Sequence, residues 1–316
     1  MSTTSRLAVI AHFDPRGGVA PHTRRHVEAL ASSVQEVVVV TTSDLTESSR
    51  RWFSSRVRLI ERTNRGYDFF SYKTGLDASD LSGFDEVVIC NDSFVGPLVS
   101  YDDIFGAMAE RPVDFWGLTV NRRWRPHIQT FFVAFRSWLV RSPTFREFWA
   151  DLEPLSDRSK VINRYEIGMT ERLSSAGFAY DSYFQESEAD RALGRRRVLW
   201  WWAHRQRLPR SRRELDDYLQ QARAGCNPSA GMADRALDGG RLPYVKIDTL
   251  RYDPYGLNAD KLLRLCEQKY PSAFEDVRGF LARTARDYPQ RPGEVLRRTP
   301  MVLRPVRHLV EYGDGG

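Results

Sequence analysis

The chain has three cysteines, five methionines and six histidines in 316 residues, and these shortages remove several classes of explanation. Cys90, Cys226 and Cys266 are widely spaced, odd in number and never paired as CxxC. Neither a disulfide framework nor a zinc knuckle is expected, and the thiols should stay reduced. His22 and His26 have the i, i+4 spacing of a metal pair, but Arg24 and Arg25 lie between them, and two adjacent cations oppose a metal. No stretch approaches the roughly 18 to 20 apolar residues of a membrane span. The apolar run Leu7 to Ala11 is too short for a signal-peptide core, so folding in the cytoplasm is expected. There is no Walker A loop and no G-x-G-x-x-G; Asp14-Pro15-Arg16-Gly17-Gly18 supports phosphate contact only weakly. No internal repeat of solenoid period is present.

What is present is enough apolar material for one large core or two unequal ones, with 41% hydrophobic and 12% aromatic residues. The net charge of +6 favours anionic partners such as nucleotide phosphates, nucleic acid or an anionic lipid surface. Much of the basic excess falls late, in Arg195 to Arg213 and Arg291 to Arg307. No helix-turn-helix, RNP-like or zinc pattern accompanies it, so nucleic acid is not an expected partner.

Leu7 to Ala11, Glu36 to Thr41, Arg56 to Ile60, Asp85 to Cys90, Asp114 to Thr119 and Ile128 to Phe135 read as strands. Helices are expected around Val27, Leu30 and Val34, over Gly66 to Leu76, Phe145 to Leu152 and Tyr165 to Ser174, the last ended by Gly177. Strand and helix alternate, and the strand runs are apolar throughout instead of alternating. That predicts an α/β fold with a mostly parallel, Rossmann-type sheet covered on both faces. A smaller, mainly helical C-terminal extension should follow, with Tyr244 to Leu250 resembling a strand and Ala259 to Gln268 an amphipathic helix. The expected division is a catalytic core over 1–180, an Arg/Trp-rich connection over 181–225, a part packing on the core over 226–290 and a basic tail over 291–316.

Ligands of open α/β sheets bind beyond the carboxyl ends of strands, so polar groups just after apolar runs matter most. Four places qualify: His12 to Gly18, Asn64 to Asp68, Asn91 to Pro97, and His127 to Gln129 leading into the strand that ends near Arg136. In Cys90-Asn91-Asp92-Ser93 a carboxylate sits where a buried strand ends, suited to a divalent cation bridging a diphosphate or to a ribose hydroxyl. An Asx turn accounts for the same residues. Asn64-Arg65-Gly66-Tyr67-Asp68 sets a cation, a glycine and a carboxylate before a helix, suited to a phosphate or ribose, or simply to a helix start with Asp68 in its first turn. Glu166 could be a general base for an acceptor hydroxyl or a carboxylate favoured by a helix dipole. The run Arg195-Arg196-Arg197-Val198-Leu199-Trp200-Trp201-Trp202 suits a peripheral membrane contact as well as core packing with solvated arginines.

Six blocks in order, Asn64-Arg65-Gly66-Tyr67-Asp68-Phe69, Asn91-Asp92-Ser93-Phe94 with Gly96-Pro97, Asp114 to Thr119, His127 to Phe132, Tyr165 to Gly168 and Pro243 to Lys246, resemble the rhamnan synthesis protein F family. The similarity runs from about residue 6 to about residue 265. It implies a GT-A-like glycosyltransferase of bacterial surface-polysaccharide assembly, working at the inner face of the plasma membrane. The donor would be a nucleoside diphosphate sugar, dTDP-rhamnose being favoured by the namesake, and the acceptor a lipid-linked or growing glycan. The resemblance assigns catalysis to Glu166 and His127. With the strand-end positions, it makes His12, Asn64, Arg65, Gly66, Asp68, Lys73, Asn91, Asp92, Ser93, Gln129 and Arg136 the expected donor-binding residues. Asp92 would hold a Mg or Mn ion, although Asn91-Asp92-Ser93 offers one carboxylate where a D-x-D motif offers two. Position 130 is Thr where the family pattern has Ser, and the hydroxyl is kept. The alternative from another class is a noncatalytic glycan-binding scaffold of a polysaccharide assembly complex.

Overall fold

The computed structural model describes residues 4–123, 125–205, 211–288 and 307–313. The expected basic tail over 291–316 therefore lies outside the described residues except for 307–313. The chain divides into two compact units. The first comprises Met1–Ser93, Val99–Val120 and His127–Tyr183; the second comprises Phe94–Leu98, Asn121–Pro126 and Phe184–Gly316.

The first unit is built on a seven-stranded sheet. Its strands are β1 (Arg6–His12), β2 (Glu36–Thr41), β3 (Arg58–Glu61), β4 (Glu86–Asn91), β5 (Phe115–Gly117), β6 (Phe132–Arg136) and β7 (Tyr180–Ser182). Their order across the sheet is β7-β5-β6-β4-β1-β2-β3. β1 pairs in parallel with β2 and β4, β2 with β3, and β5 with β7. β6 runs antiparallel to both of its neighbours, β4 and β5. The mostly parallel α/β fold is thus as expected, with one reversed strand inside it.

The continuous apolar runs are explained by burial on both faces: Leu7, Ala8, Val9 and Ile10 of β1 and Val87, Val88 and Ile89 of β4 are fully buried. The covering helices are α1 (Pro21–Ser33), α2 (Glu47–Ser54), α3 (Tyr67–Asp77), α4 (Tyr101–Ala109), α5 (Pro143–Ala150) and α6 (Gly168–Ser175). α3 lies tight on the sheet: a Cβ on Gly75 would stand 2.3 Å from Val9 Cγ1. Ahead of α6, Ile162–Ile167 forms a π-helical turn.

Two expectations need correction. Ile128 to Phe135 is not one strand: His127–Ile128 is a short separate piece, and β6 begins only at Phe132. Tyr244 to Leu250 is not a strand either. Val245–Lys246 pairs antiparallel with Phe94–Val95, and Ile247–Tyr252 is helical. Ile247, Thr249 and Leu250 are buried at helical spacing, so the apolar face is satisfied by a helix where periodicity over so short a run is ambiguous.

The second unit is mainly helical, with α7 (Glu188–Arg205), α8 (Arg212–Ala224), α9 (Ala259–Lys269) and α10 (Val277–Arg283). Within its apolar interior lies one buried ion pair: Arg197, 1% exposed, makes a two-point contact with Asp234, with N–O distances of 2.8 and 2.6 Å. The same guanidinium donates to the carbonyl of Val310 at 2.8 Å, tying 307–313 into the unit.

Candidate active site

Register sets the site. Ala11 lies opposite Asn91, and His12 opposite Thr41, so the ends of β1, β2 and β4 are level. His12 and Asp92 therefore come side by side, with Nε2 3.7 Å from Oδ2. On the other flank the N–H of Asn91 donates to the carbonyl of Phe131 at 3.0 Å, which brings Gln129 and Thr130 to the same edge.

Asp92 is largely enclosed. Burial, followed by the neighbouring charge of Asp68, pushes its carboxyl up to about 8, against the pull of its own N–H and that of Phe13. The His12 ring is buried, and its Nδ1 is 2.9 Å from Thr41 Oγ1. Burial holds its pKa down at about 4 although Asp14 pulls the other way. His12 therefore stands beside Asp92 as a neutral ring. Asn91 does make the Asx turn, Oδ1 accepting from the N–H of Ser93 at 3.2 Å. Its amide meanwhile donates to Asp68 Oδ2 at 2.7 Å, so the turn and the coupling to Asp68 coexist. Asp14 closes its own loop by accepting from the N–H groups of Arg16 and Gly18 at 2.8 and 3.2 Å.

Asp68 reaches the edge because α3 starts sharply. Gly66 has φ 76°, and a Cβ there would stand 2.8 Å from Phe70 Cβ and 2.9 Å from Pro154 Cα. No L-residue side chain fits that turn without displacement. Arg62, which the sequence reading missed, holds the approach to the helix by donating to the carbonyls of Thr63, Arg65 and Tyr67 and to Ser71 Oγ. Asn64 and Arg65 are exposed on this loop.

A second group lies next to the first. Glu166, on the π-helical turn, accepts from Thr130 Oγ1 at 2.9 Å and lies 3.4 Å from Nε2 of the buried His127. π-helical turns recur at functional sites because the extra residue re-aims a side chain. Here Tyr165 turns inward, its hydroxyl bonded to the backbone of Glu153, while Glu166 stays partly exposed. Gln129 is buried and accepts from Thr119 Oγ1 at 3.0 Å.

Tyr72 joins the two groups. Four residues beyond Asp68 on α3, it donates to the carbonyl of Thr130 at 3.0 Å. Burial pushes its phenol well above the ordinary range, and the charges of Asp68, Cys90, Glu166 and Asp92 add to the effect. The signal was present in the sequence: a polar-tipped aromatic in the apolar stripe Phe69, Tyr72, Leu76 needs a partner when buried.

Two expected donor-binding cations are not brought to this edge. Arg136 lies at the opposite end of β4, across from Glu86, because β6 runs antiparallel. It forms an ion pair with Glu86 at 3.1 Å, and the same carboxylate takes Arg6 at 2.7 Å and Trp116 Nε1 at 2.9 Å. Lys73 is paired with Asp77 at 3.0 Å, a turn further along α3. Among the described residues no three His, Cys, Asp or Glu side chains are grouped to hold a metal. Asp92 with Asp68 in electrostatic reach fits a cation completed by phosphate oxygens and water, and does not fit an all-protein cage.

Known proteins resemble the chain in sequence and in fold. The uncharacterized protein y4gN of Sinorhizobium fredii is 26% identical over 194 residues, covering 59% of this chain and 50% of that protein. The virulence protein VirA of Vibrio anguillarum is 31% identical over 124 residues, covering 37% of this chain and 39% of that protein. The chain thus spans half or less of the length of these relatives. A cytidylyltransferase from Leptospira borgpetersenii superposes with a TM-score of 0.37 at 14% identity, over 60% of this chain and 78% of that one. Glucosyl-3-phosphoglycerate synthase from Mycobacterium tuberculosis, solved with Mn2+ and uridine-diphosphate-glucose, gives 0.34 at 11%, over 43% and 57%. At these scores the likeness supports no statement about ligand or reaction. The family model for rhamnan synthesis protein F matches residues 37–200, just over half of the chain. That stretch carries Asn64 to Lys73, Asn91 to Ser93, His127 to Thr130 and Glu166; His12 and the Pro243 to Lys246 block fall outside it. The chain belongs to the rhamnan synthesis protein F family.

Proposed function

We propose that this protein is a glycosyltransferase that moves a sugar, rhamnose by the family's namesake, from a nucleoside diphosphate to a hydroxyl of a cell-surface glycan under assembly. One observation carries the reading: Asp92 with Asp68, and Glu166 with Thr130 and His127, meet at one strand-end edge of the sheet, joined through Tyr72. The first group suits the donor and the second the acceptor.

In the proposed reaction the acceptor oxygen attacks the anomeric carbon while its proton passes to Glu166. The bond from that carbon to the diphosphate oxygen breaks, and the electron pair leaves with the diphosphate. A single displacement of this kind inverts the anomeric centre. Thr130 and His127 hold Glu166 in position. Arg65 is exposed on the loop before α3 and, in this reading, would meet the diphosphate. Asp92, with Asp68, would hold a Mg or Mn ion, which when bound supplies positive charge to the phosphate oxygens.

The test is calorimetric titration of nucleoside diphosphates and their sugars, dTDP-rhamnose included, with and without Mg or Mn. It is paired with turnover of Glu166→Gln. Donor binding that needs Asp92, with turnover falling about 100-fold or more in the Gln variant, supports the reading. Donor binding without transfer would favour the glycan-binding scaffold, and silence across the panel would remove the transferase.

A further inference from the structure

The arginine- and tryptophan-rich segment does not behave as its composition first suggests. Trp200 is buried, its Nε1 donating to the carbonyl of Gly256 at 3.4 Å. Trp201 is half-buried against Tyr255, with the guanidinium of Arg123 5.5 Å from its ring centroid. The apolar groups left facing solvent are leucines: Leu199 of α7 is 51% exposed, and Leu215 and Leu219 of α8 are 43% and 42% exposed.

The two helices that carry these leucines pack against each other. Trp202 of α7 and Tyr218 of α8 pack with ring centroids 4.7 Å apart. Leu199 lies three residues before that tryptophan, Leu215 three residues before that tyrosine, and Leu219 one turn beyond Leu215. None of the described side chains of α8 is buried, although Ser211 caps its first turn by accepting from the N–H of Glu214. A 13-residue helix that buries so little gains scant stability from propensity alone, so its apolar face calls for a cover.

The charge around the leucines says what the cover is. Among the described side chains of 188–224, Arg191, Arg195, Arg196, Arg212, Arg213 and Arg223 are exposed, against the exposed acids Glu188, Asp216 and Asp217. Exposed Arg195 and Arg196 sit one turn before Leu199, and exposed Arg212 and Arg223 sit one turn either side of the Leu215 and Leu219 pair. Of the acids, Asp190 is buried with Arg235 and Arg241, Glu214 and Asp217 fall on the far side of α8 from the leucines, Glu188 is exposed at the start of α7, and exposed Asp216 alone shares the leucine side of α8, one turn from Arg212 and from Leu219. Leucines framed by arginines match an anionic bilayer surface, where acyl chains take the former and phosphates the latter. No helix among the described residues is long and apolar enough to cross a membrane, and interfacial seating does not require one.

We infer that α7 and α8 dock on an anionic lipid surface through Leu199, Leu215 and Leu219 and the arginines beside them. This goes beyond the proposed transfer and does not depend on it. The experiment is co-sedimentation of the full chain with vesicles of phosphatidylcholine containing phosphatidylglycerol, and with pure phosphatidylcholine, at low and high salt. Expected is binding to the anionic vesicles at least about ten-fold above the neutral ones, weakened by salt. Leu215→Asp with Leu219→Asp should abolish it, and Arg195→Ser with Arg196→Ser and Arg212→Ser should weaken it. Circular dichroism and light scattering would show that these surface variants stay folded and soluble. Equal sedimentation of wild type and leucine variant, or none by either, overturns the inference. So does a dimer lost in the leucine variant without vesicle binding, which would assign the leucines to a second copy.

Discussion

Thr130 is where the candidate site is most open to test by a single side chain. Its hydroxyl donates to Glu166 while its carbonyl accepts from Tyr72, so it holds the proposed base without touching the reacting atoms. Thr130→Ser keeps the hydroxyl and should retain most of the turnover. Thr130→Val removes one hydrogen bond to a carboxylate, about 1.5 to 3 kcal/mol of positioning, and should lower kcat by about ten-fold or more with KM for the donor little changed. Steady-state kinetics of the two variants decides it; equal losses in both would mean that the position matters for packing alone. At this scale the sequence was informative where a polar residue follows an apolar run, as with His12 and Asp92, because strand ends are readable. It was uninformative for Arg62, whose importance comes from the carbonyls it gathers, and for Tyr72 it signalled the need of a partner but not which partner. It was misleading for Arg136, whose place depends on the direction of its strand.

The direction of β6 is an element-scale property. Its residues are as apolar as those of the parallel strands, and nothing in Phe132 to Phe135 reports direction. What does report it is connection length: β5 ends at Gly117 and β6 starts at Phe132, with no crossover helix among the described residues between them, and parallel neighbours usually need one. Reading that spacing would have moved Arg136 to the far end of the sheet, beside Glu86. The buried Glu86 carboxylate takes two guanidinium groups and an indole there. Glu86→Ala should destabilise by about 3 to 5 kcal/mol, because Arg6 and Arg136 lose their shared partner. α3 offers a second test of the same kind. Gly75→Ala places a methyl against Val9 in a fully packed sheet and should cost about 1 to 3 kcal/mol, lowering the urea midpoint. An unchanged midpoint would mean that α3 can lift from β1.

Across the whole molecule, three buried titratable groups give stability a defined dependence on pH. His12 and His26 are held down by burial, to about 4 and about 3, His26 with its Nδ1 2.7 Å from the Tyr101 hydroxyl. Below about 6.5 the unfolded chain binds protons that the native rings refuse, so each histidine's contribution is present above that pH and is lost on acidification. The slope approaches about 1.4 kcal/mol per pH unit for each ring. Asp92 works in the other direction. Its native carboxyl, pushed up to about 8, keeps a proton that the unfolded chain has released by about pH 4. Stability from this group is complete below about pH 4 and falls as pH rises toward about 8. Between about 4 and 6.5 the two histidines outweigh the one carboxyl; above 6.5 the carboxyl acts alone, so these groups together place the maximum near pH 6.5. With chelator present to keep cations off Asp92, urea midpoints at pH 5, 6.5 and 8 should therefore be highest in the middle. Asp92→Asn should remove the decline from 6.5 to 8 and leave the acid side steeper, because the opposing carboxyl is gone. An unchanged alkaline decline in that variant would mean that Asp92 is already ionised in the native protein, and with it the electrostatic account of the site would have to change.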